Sequence, residues 1–235
     1  MTKLANICGG LATVRKILLA LLLLSAASVA SASTLTFTPS PSDLGDLDHH
    51  YVYTWRIDGV NLNGQVITSA KLTIKNIRNW DDSDNMLFIH LLDTAKWSGV
   101  KSFVDDPTNS APVTDITDDF VNTRYHNNPN WLVAPGTADT FLTSQEFADD
   151  YSPWPGKQGT NFTYTFSTAQ LQALQNYILN GGDFALGFDP DCHYYNDGIS
   201  LTIETKPVPE PMTITLLGSG LAGLYLRRRR VKSSV

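Results

Sequence analysis

Glutamate is nearly missing from this sequence: Glu146, Glu204 and Glu210 are the only three among 235 residues. A hydrolase built on a glutamate pair is therefore hard to assemble, although aspartates can serve instead, because carboxyl separation is a property of the fold. Cysteine is as scarce, with only Cys8 and Cys192. Cys8 falls in an N-terminal segment that reads as a removable leader, so a mature chain keeps one thiol and no internal disulfide. A hydrophobic core must then hold the domain. Three readings of Cys192 stay open: a buried inert thiol, an intermolecular bridge or a metal ligand. There is no Gly-x-Ser-x-Gly, no His-Glu-x-x-His and no glycine-rich phosphate loop. Basic side chains are also scarce away from the ends. Of 17 Lys+Arg, Lys3, Arg15, Lys16, Arg227 to Arg230 and Lys232 lie in the termini, leaving 9 between residues 33 and 206 against 22 acids, a net of −13. Such a domain repels phosphate backbones, which argues against a nucleic-acid partner. The same charge suits solubility outside the cell, and it raises the question of whether aspartates gather around cations.

What is present at the N-terminus is a pattern of export. Lys3, Arg15 and Lys16 precede an apolar run from Ile17 to Leu24, followed by small residues. Ala30-Ser31-Ala32 fits a signal-peptidase site with cutting after Ala32, and Ser28-Val29-Ala30 is a second option. The apolar core is short for an uncleaved anchor.

The C-terminus reads as three parts: Val208-Pro209-Glu210-Pro211, an apolar run from Met212 to Leu226, and Arg227-Arg228-Arg229-Arg230. The prolines each fix φ and remove an N–H donor, separating the domain from the apolar run. The arginines oppose translocation and stay on the cytoplasmic side. As a helix the apolar run would extend only about 22 Å at ~1.5 Å per residue, short of a hydrocarbon core of ~30 Å. Gly218, Gly220 and Gly223 weaken it further while allowing close approach of another helix. This tail resembles the PEP-CTERM sorting signal of exported bacterial proteins, which the membrane enzyme exosortase recognises and processes. The resemblance implies Pro209, Glu210 and Pro211 as the processing motif, Met212 to Leu226 as a transient membrane segment and Arg227 to Arg230 as the basic stop.

Between the ends the pattern is β. Tyr51 to Ile57 alternates aromatic or aliphatic residues with smaller or polar ones, and Val66 to Ile77 sets Ala70, Leu72 and Ile74 against Lys71, Thr73 and Lys75. Met86 to Leu92 is almost continuously apolar, as in a strand covered on both sides. Residues 139–143, 160–166, 184–188 and 199–205 add short strands separated by Asp/Asn/Gly/Pro clusters. The spacing predicts a β-sandwich of jelly-roll-like type. One amphipathic helix is expected near 167–180: Ser167 and Gln170 form a capping box, Leu171, Leu174 and Ile178 recur at helical spacing, and Gly181-Gly182 closes it. Residues 103–135 read as loops with at most one short strand, and long loops on a β-scaffold are where binding sits.

The best chemical candidate is Asp189-Pro190-Asp191-Cys192-His193-Tyr194-Tyr195-Asn196-Asp197-Gly198, read as a hairpin between two strands. Asp189, Asp191, Asn196 and Asp197 are the hard oxygen donors that Ca²⁺ prefers. The segment departs from an EF-hand at its fifth, sixth and twelfth positions. The same aspartates could instead hydrogen-bond their own turn, and a transition-metal site at Cys192 and His193 is a third reading, opposed by the opposite facing of adjacent strand residues. Asp81-Asp82-Ser83-Asp84-Asn85 reads as a solvated loop, with calcium binding as the alternative. His49-His50 lacks a third ligand at defined spacing, and His90, inside an apolar strand, reads as a satisfied core histidine. Trp80, Trp97, Trp131, Trp154 and Tyr194-Tyr195 lie in or beside loops, where rings stack on sugars or cap the core. Trp131 and Trp154 are the named glycan-binding candidates.

The composite expectation is a signal peptide at 1–32, a β-sandwich domain at 33–206 and a sorting segment at 207–235. The protein is expected to be a non-enzymatic surface or matrix module with Ca²⁺ as its one cofactor. Its expected partners are signal peptidase, exosortase and an extracellular polysaccharide, since PEP-CTERM proteins are associated with bacteria that make one. The alternative is an extracellular polysaccharide-acting enzyme using aspartate carboxylates.

Overall fold

The computed structural model describes residues 32–80, 85–105, 117–122, 124–147, 159–208, 218–221 and 223. Its strands are β1 (Ser33–Phe37), β2 (Tyr51–Ile57), β3 (Gln65–Asn79), β4 (Met86–Leu92), β5 (Gly99–Val104), β6 (Asp139–Glu146), β7 (Thr160–Thr165), β8 (Phe184–Pro190), β9 (Tyr194–Tyr195) and β10 (Ile199–Pro207); one helix, α1 (Thr168–Gly181), precedes β8. One sheet runs β1-β10-β3-β7 with β9 added to β3, and the other runs β5-β2-β8-β4-β6. All pairings are antiparallel. The pairs are nested along the chain: β4 with β6, β3 with β7, β2 with β8 and β1 with β10. The protein is therefore mainly β, two antiparallel sheets arranged as a sandwich.

The period-2 alternation places the core. Tyr53, Trp55 and Ile57 of β2, Leu87, Ile89 and Leu91 of β4, and Phe184, Leu186 and Phe188 of β8 share one buried cluster with Ala70, Leu72 and Ile74 of β3 and Leu201 and Ile203 of β10. The opposite face of the second sheet is covered too. Val52, Leu92 and Ala185 pack against Phe120, Trp131 and Leu132 from the loops between β5 and β6. This double cover explains the continuous apolar character of β4 and β8. At Gly187 any Cβ would stand 2.5 Å from the Phe120 ring, so glycine there lets the loop sit directly on the sheet.

Helix α1 has the expected ends. Ser167 Oγ accepts the Gln170 backbone N–H at 3.4 Å, and Gln170 Oε1 accepts the Ser167 N–H at 2.8 Å. Gly182, at φ 75°, donates its N–H to the Ile178 carbonyl, a left-handed cap that glycine adopts without a Cβ clash. Leu174 and Ile178 face inward, and the helix packs on β3, β8 and β6.

Three elements depart from the sequence reading. Strands β1 and β5 lie at sheet edges, where the inward side chains Leu35 and Phe37 of β1 and Val100 of β5 are only partly buried against the core, so short runs of this kind give only a weak alternation. The segment 189–198 is not a hairpin: β8 and β10 belong to different sheets, and the chain crosses between them, pairing β9 with β3 on the way. The leader through residue 31, Asp81 to Asp84, Trp154, Pro209 to Pro211 and Arg227 to Arg230 lie outside the described residues. Within the apolar run, residues 218–221 and 223 are helical. No helix among the described residues is long and apolar enough to cross a membrane.

Candidate metal centre

Alternation along β8 sends Phe184, Leu186 and Phe188 inward, so Ala185, Gly187 and Asp189 face the covering loops. Asp189 is thereby buried to 2 % exposure at the end of the strand. Asp119, 8 % exposed, donates its backbone N–H to Asp189 Oδ2 at 2.6 Å. Asp105 comes directly after β5; its N–H bonds the His50 carbonyl at 3.2 Å, and the Tyr125 hydroxyl donates to the Asp105 carbonyl. Carboxylate oxygens of Asp105, Asp119 and Asp189 lie within 4.8 Å of one another. Asp191 stands at the edge of this group. Its N–H donates to the Met86 carbonyl at 2.9 Å, while its Oδ2 is buried without a hydrogen-bond partner.

Burial and like charge act together here. Burial pushes the Asp189 carboxyl well above the usual carboxylate range; Asp119, Asp105 and Asp191 raise it further, and the Asp119 N–H only partly offsets them. Burial likewise lifts Asp191 to about 7 against hydrogen bonds from the Thr117 and Met86 backbone. Two physical outcomes relieve such crowding: protonation, or a cation among the oxygens. The donor set is all hard oxygen, which suits Ca²⁺ and not a metal that selects sulfur or imidazole.

The four residues expected to bind together are divided by the fold. Asp189 lies with Asp105 and Asp119, and Asp191 acts on the three through its charge. Asn196 instead donates from Nδ2 to the Asp43 carbonyl at 2.9 Å and accepts the Gly198 N–H at 3.0 Å. Asp197 accepts from Asn76 Nδ2 at 2.8 Å. Both belong to the turn that enters β10, where Gly198 has φ 124°. Asp105 and Asp119 do not stand out in the sequence; their only signal there is the aspartate content of the loops between β5 and β6.

The remaining candidates find structural places. Trp131 is 2 % exposed, with the Tyr125 ring stacked at 6.0 Å and the His126 ring at 5.4 Å, so little of its ring is accessible to a sugar. Cys192, a thiol and not a disulfide, is buried in the main core. His90 is 1 % exposed and satisfied at both nitrogens: Nδ1 lies 2.8 Å from Asp139 Oδ1 and Nε2 2.9 Å from Asp118 Oδ2. Burial alone would lower its pKa, but the two carboxylates outweigh burial and hold it at about 9. Because the folded value exceeds the unfolded ~6.5, the imidazolium stabilises the fold fully below about pH 6.5. That contribution fades as pH rises through about 9. Linkage puts it on the order of 3 kcal/mol. Denaturant unfolding from pH 6 to 9.5 should show this loss in the native sequence and a much flatter profile in His90→Gln; equal slopes would contradict the assignment.

The family model for the PEP-CTERM protein-sorting motif matches residues 207–230. The chain thus carries a PEP-CTERM sorting signal, which implies an exported protein that exosortase processes and a transient C-terminal membrane attachment. No curated protein matches the chain.

Proposed function

We propose that this protein is a non-enzymatic surface or matrix module, delivered by its PEP-CTERM signal, whose β-sandwich is locked by Ca²⁺ at Asp105, Asp119 and Asp189, with Asp191 beside them. The observation that carries this reading is the convergence of three carboxylates, two of them buried, within 4.8 Å. An apo cluster of that kind holds mutual repulsion that a divalent cation converts into attraction. The ion would tie the end of β8 to the segment after β5 and to the loop that covers the second sheet, making a rigid face from otherwise separate loops. Supporting the finer architecture, nested pairing of β1/β10, β2/β8, β3/β7 and β4/β6 is the connectivity of a jelly roll, a scaffold used by lectins and other binding modules. An extracellular polysaccharide is the proposed partner.

Calorimetric titration of the full-length chain with Ca²⁺ tests the metal assignment. One ion per chain is expected, at a Kd of about 0.1–1 mM, the range of extracellular calcium modules. Absence of binding at 10 mM Ca²⁺ would overturn it.

A further inference from the structure

The loop from β1 to β2 carries a second group of polar side chains whose chemistry differs from the carboxylate cluster. Leu44 and Leu47, 1 % and 0 % exposed, pin this loop to the main core. The backbone from Leu44 to Leu47 has φ between 45° and 71° at every residue. For non-glycine residues that conformation is costly and is held only by surrounding structure. The tight path presents Asp48, His49 and His50 toward the crossover after β8. There Tyr194 donates its N–H to the Leu47 carbonyl at 3.3 Å, and His193 gives its carbonyl to the Trp80 N–H at 2.9 Å. These two backbone bonds fix His193 beside the loop.

The side chains converge. His49 Nδ1 stands 3.7 Å from Asp48 Oδ1, and His193 Nδ1 stands 4.0 Å from Asp48 Oδ2. One ligand atom from each of Asp48, His49 and His193 lies within 4.8 Å of the others. Four ligands placed ~2.0–2.1 Å from a tetrahedral ion are about 3.4 Å apart, so side-chain adjustments of up to about an ångström bring these atoms to ligating distance. His193 Nε2 is buried without a hydrogen-bond partner, so the fold spends little of this imidazole's hydrogen-bonding capacity. His50 plays another part. Its backbone N–H and its Nδ1 lie 3.0 Å and 2.7 Å from Asp48 Oδ1, an arrangement that fixes the orientation of a ligating carboxylate.

We propose that Asp48, His49 and His193 bind a divalent transition metal of the zinc type, with His50 as the residue that positions Asp48. Two imidazoles and one carboxylate select Zn²⁺ and its neighbours over Ca²⁺. Three protein ligands leave a fourth position open, and Trp80, 45 % exposed, and Tyr195 flank the His193 ring at 5.7 Å and 4.6 Å. Water or an oxygen of an extracellular ligand would occupy it. The sequence alone left His49-His50 without a third ligand; the crossover brings His193 from the far end of the domain to supply it. The proposal stands independently of the calcium reading, because it uses none of the same carboxylates and a different class of ion.

Co²⁺ is the probe, since its visible absorption reports low-coordinate nitrogen and oxygen ligation. The full-length chain should bind one Co²⁺, release it to Zn²⁺ and retain it in 10 mM Ca²⁺. His193→Gln and His49→Gln should each weaken binding at least about tenfold, and His50→Gln by about tenfold, the scale of an orienting partner. His126→Gln should bind as the native sequence does. Unfolding midpoints in EDTA separate loss of a ligand from loss of fold; should His193→Gln fail to fold, the half-exposed His49 decides. No Co²⁺ spectrum, displacement by Ca²⁺, or undiminished binding in His49→Gln would overturn the site.

Discussion

Asp189→Asn is expected to raise the melting temperature of the calcium-free protein and to abolish its response to calcium. Asp189 is 2 % exposed and accepts the Asp119 N–H at 2.6 Å; an amide oxygen keeps that acceptor while removing the charge. The sign comes from linkage. A carboxyl whose folded pKa is raised above its unfolded value favours the fold only while protonated, and that advantage is lost as pH rises through the folded value. Near neutral pH the ionised form therefore works against the apo fold, and the neutral amide relieves it, at about 2–4 °C for each kcal/mol recovered in a domain of this size. The same amide weakens an ion site that depends on full negative charge. Opposite shifts in EDTA and in calcium distinguish a metal centre from a merely tolerated acid cluster. A variant that is less stable in EDTA and still gains stability with calcium would contradict the assignment.

Trp131→Ala is expected to be the most damaging single substitution in the second cluster. Trp131 is almost fully buried against Phe103, Phe120, Tyr125 and His126 on the outer face of the second sheet. Emptying such a site costs about 3–5 kcal/mol, or about 6–20 °C in Tm at this domain size. Because the loop carrying Phe120 and Asp119 rests on this cluster, calcium affinity should fall with it. A Trp131→Ala protein with native Tm and weakened retention on polysaccharide would instead mark the ring as a sugar platform.

Much of the architecture was legible where burial imposes a period. β2, β3 and β4 declare themselves by alternation or by continuous apolarity, and α1 by Ser167, Gln170 and Gly182 at its ends. The sandwich type followed from those elements. Strands β1 and β5 were not legible because each is short and offers only two partly buried apolar side chains, Leu35 and Phe37 in β1 and Val100 and Phe103 in β5. The carboxylate cluster was only half legible. Asp189 and Asp191 stand out in sequence, but their partners come from residues about 70 to 86 positions earlier, through the pairing of β2 with both β5 and β8 and the return of a loop over the sheet. Local spacing carries no trace of such non-local contacts. Asn196 and Asp197 illustrate the converse: near Asp191 in sequence, they are turned away by the crossover to β10 and spent on its turn.

Thermal unfolding of the full-length chain in 10 mM CaCl₂ and in EDTA decides whether calcium binds the native β-sandwich. A ligand bound only by the native state stabilises it by RT ln(1 + [L]/Kd), which at a Kd of about 0.1–1 mM amounts to about 1.4–2.7 kcal/mol. A Tm about 3–11 °C higher in calcium is expected; superimposable transitions in the two conditions would rule out the calcium site.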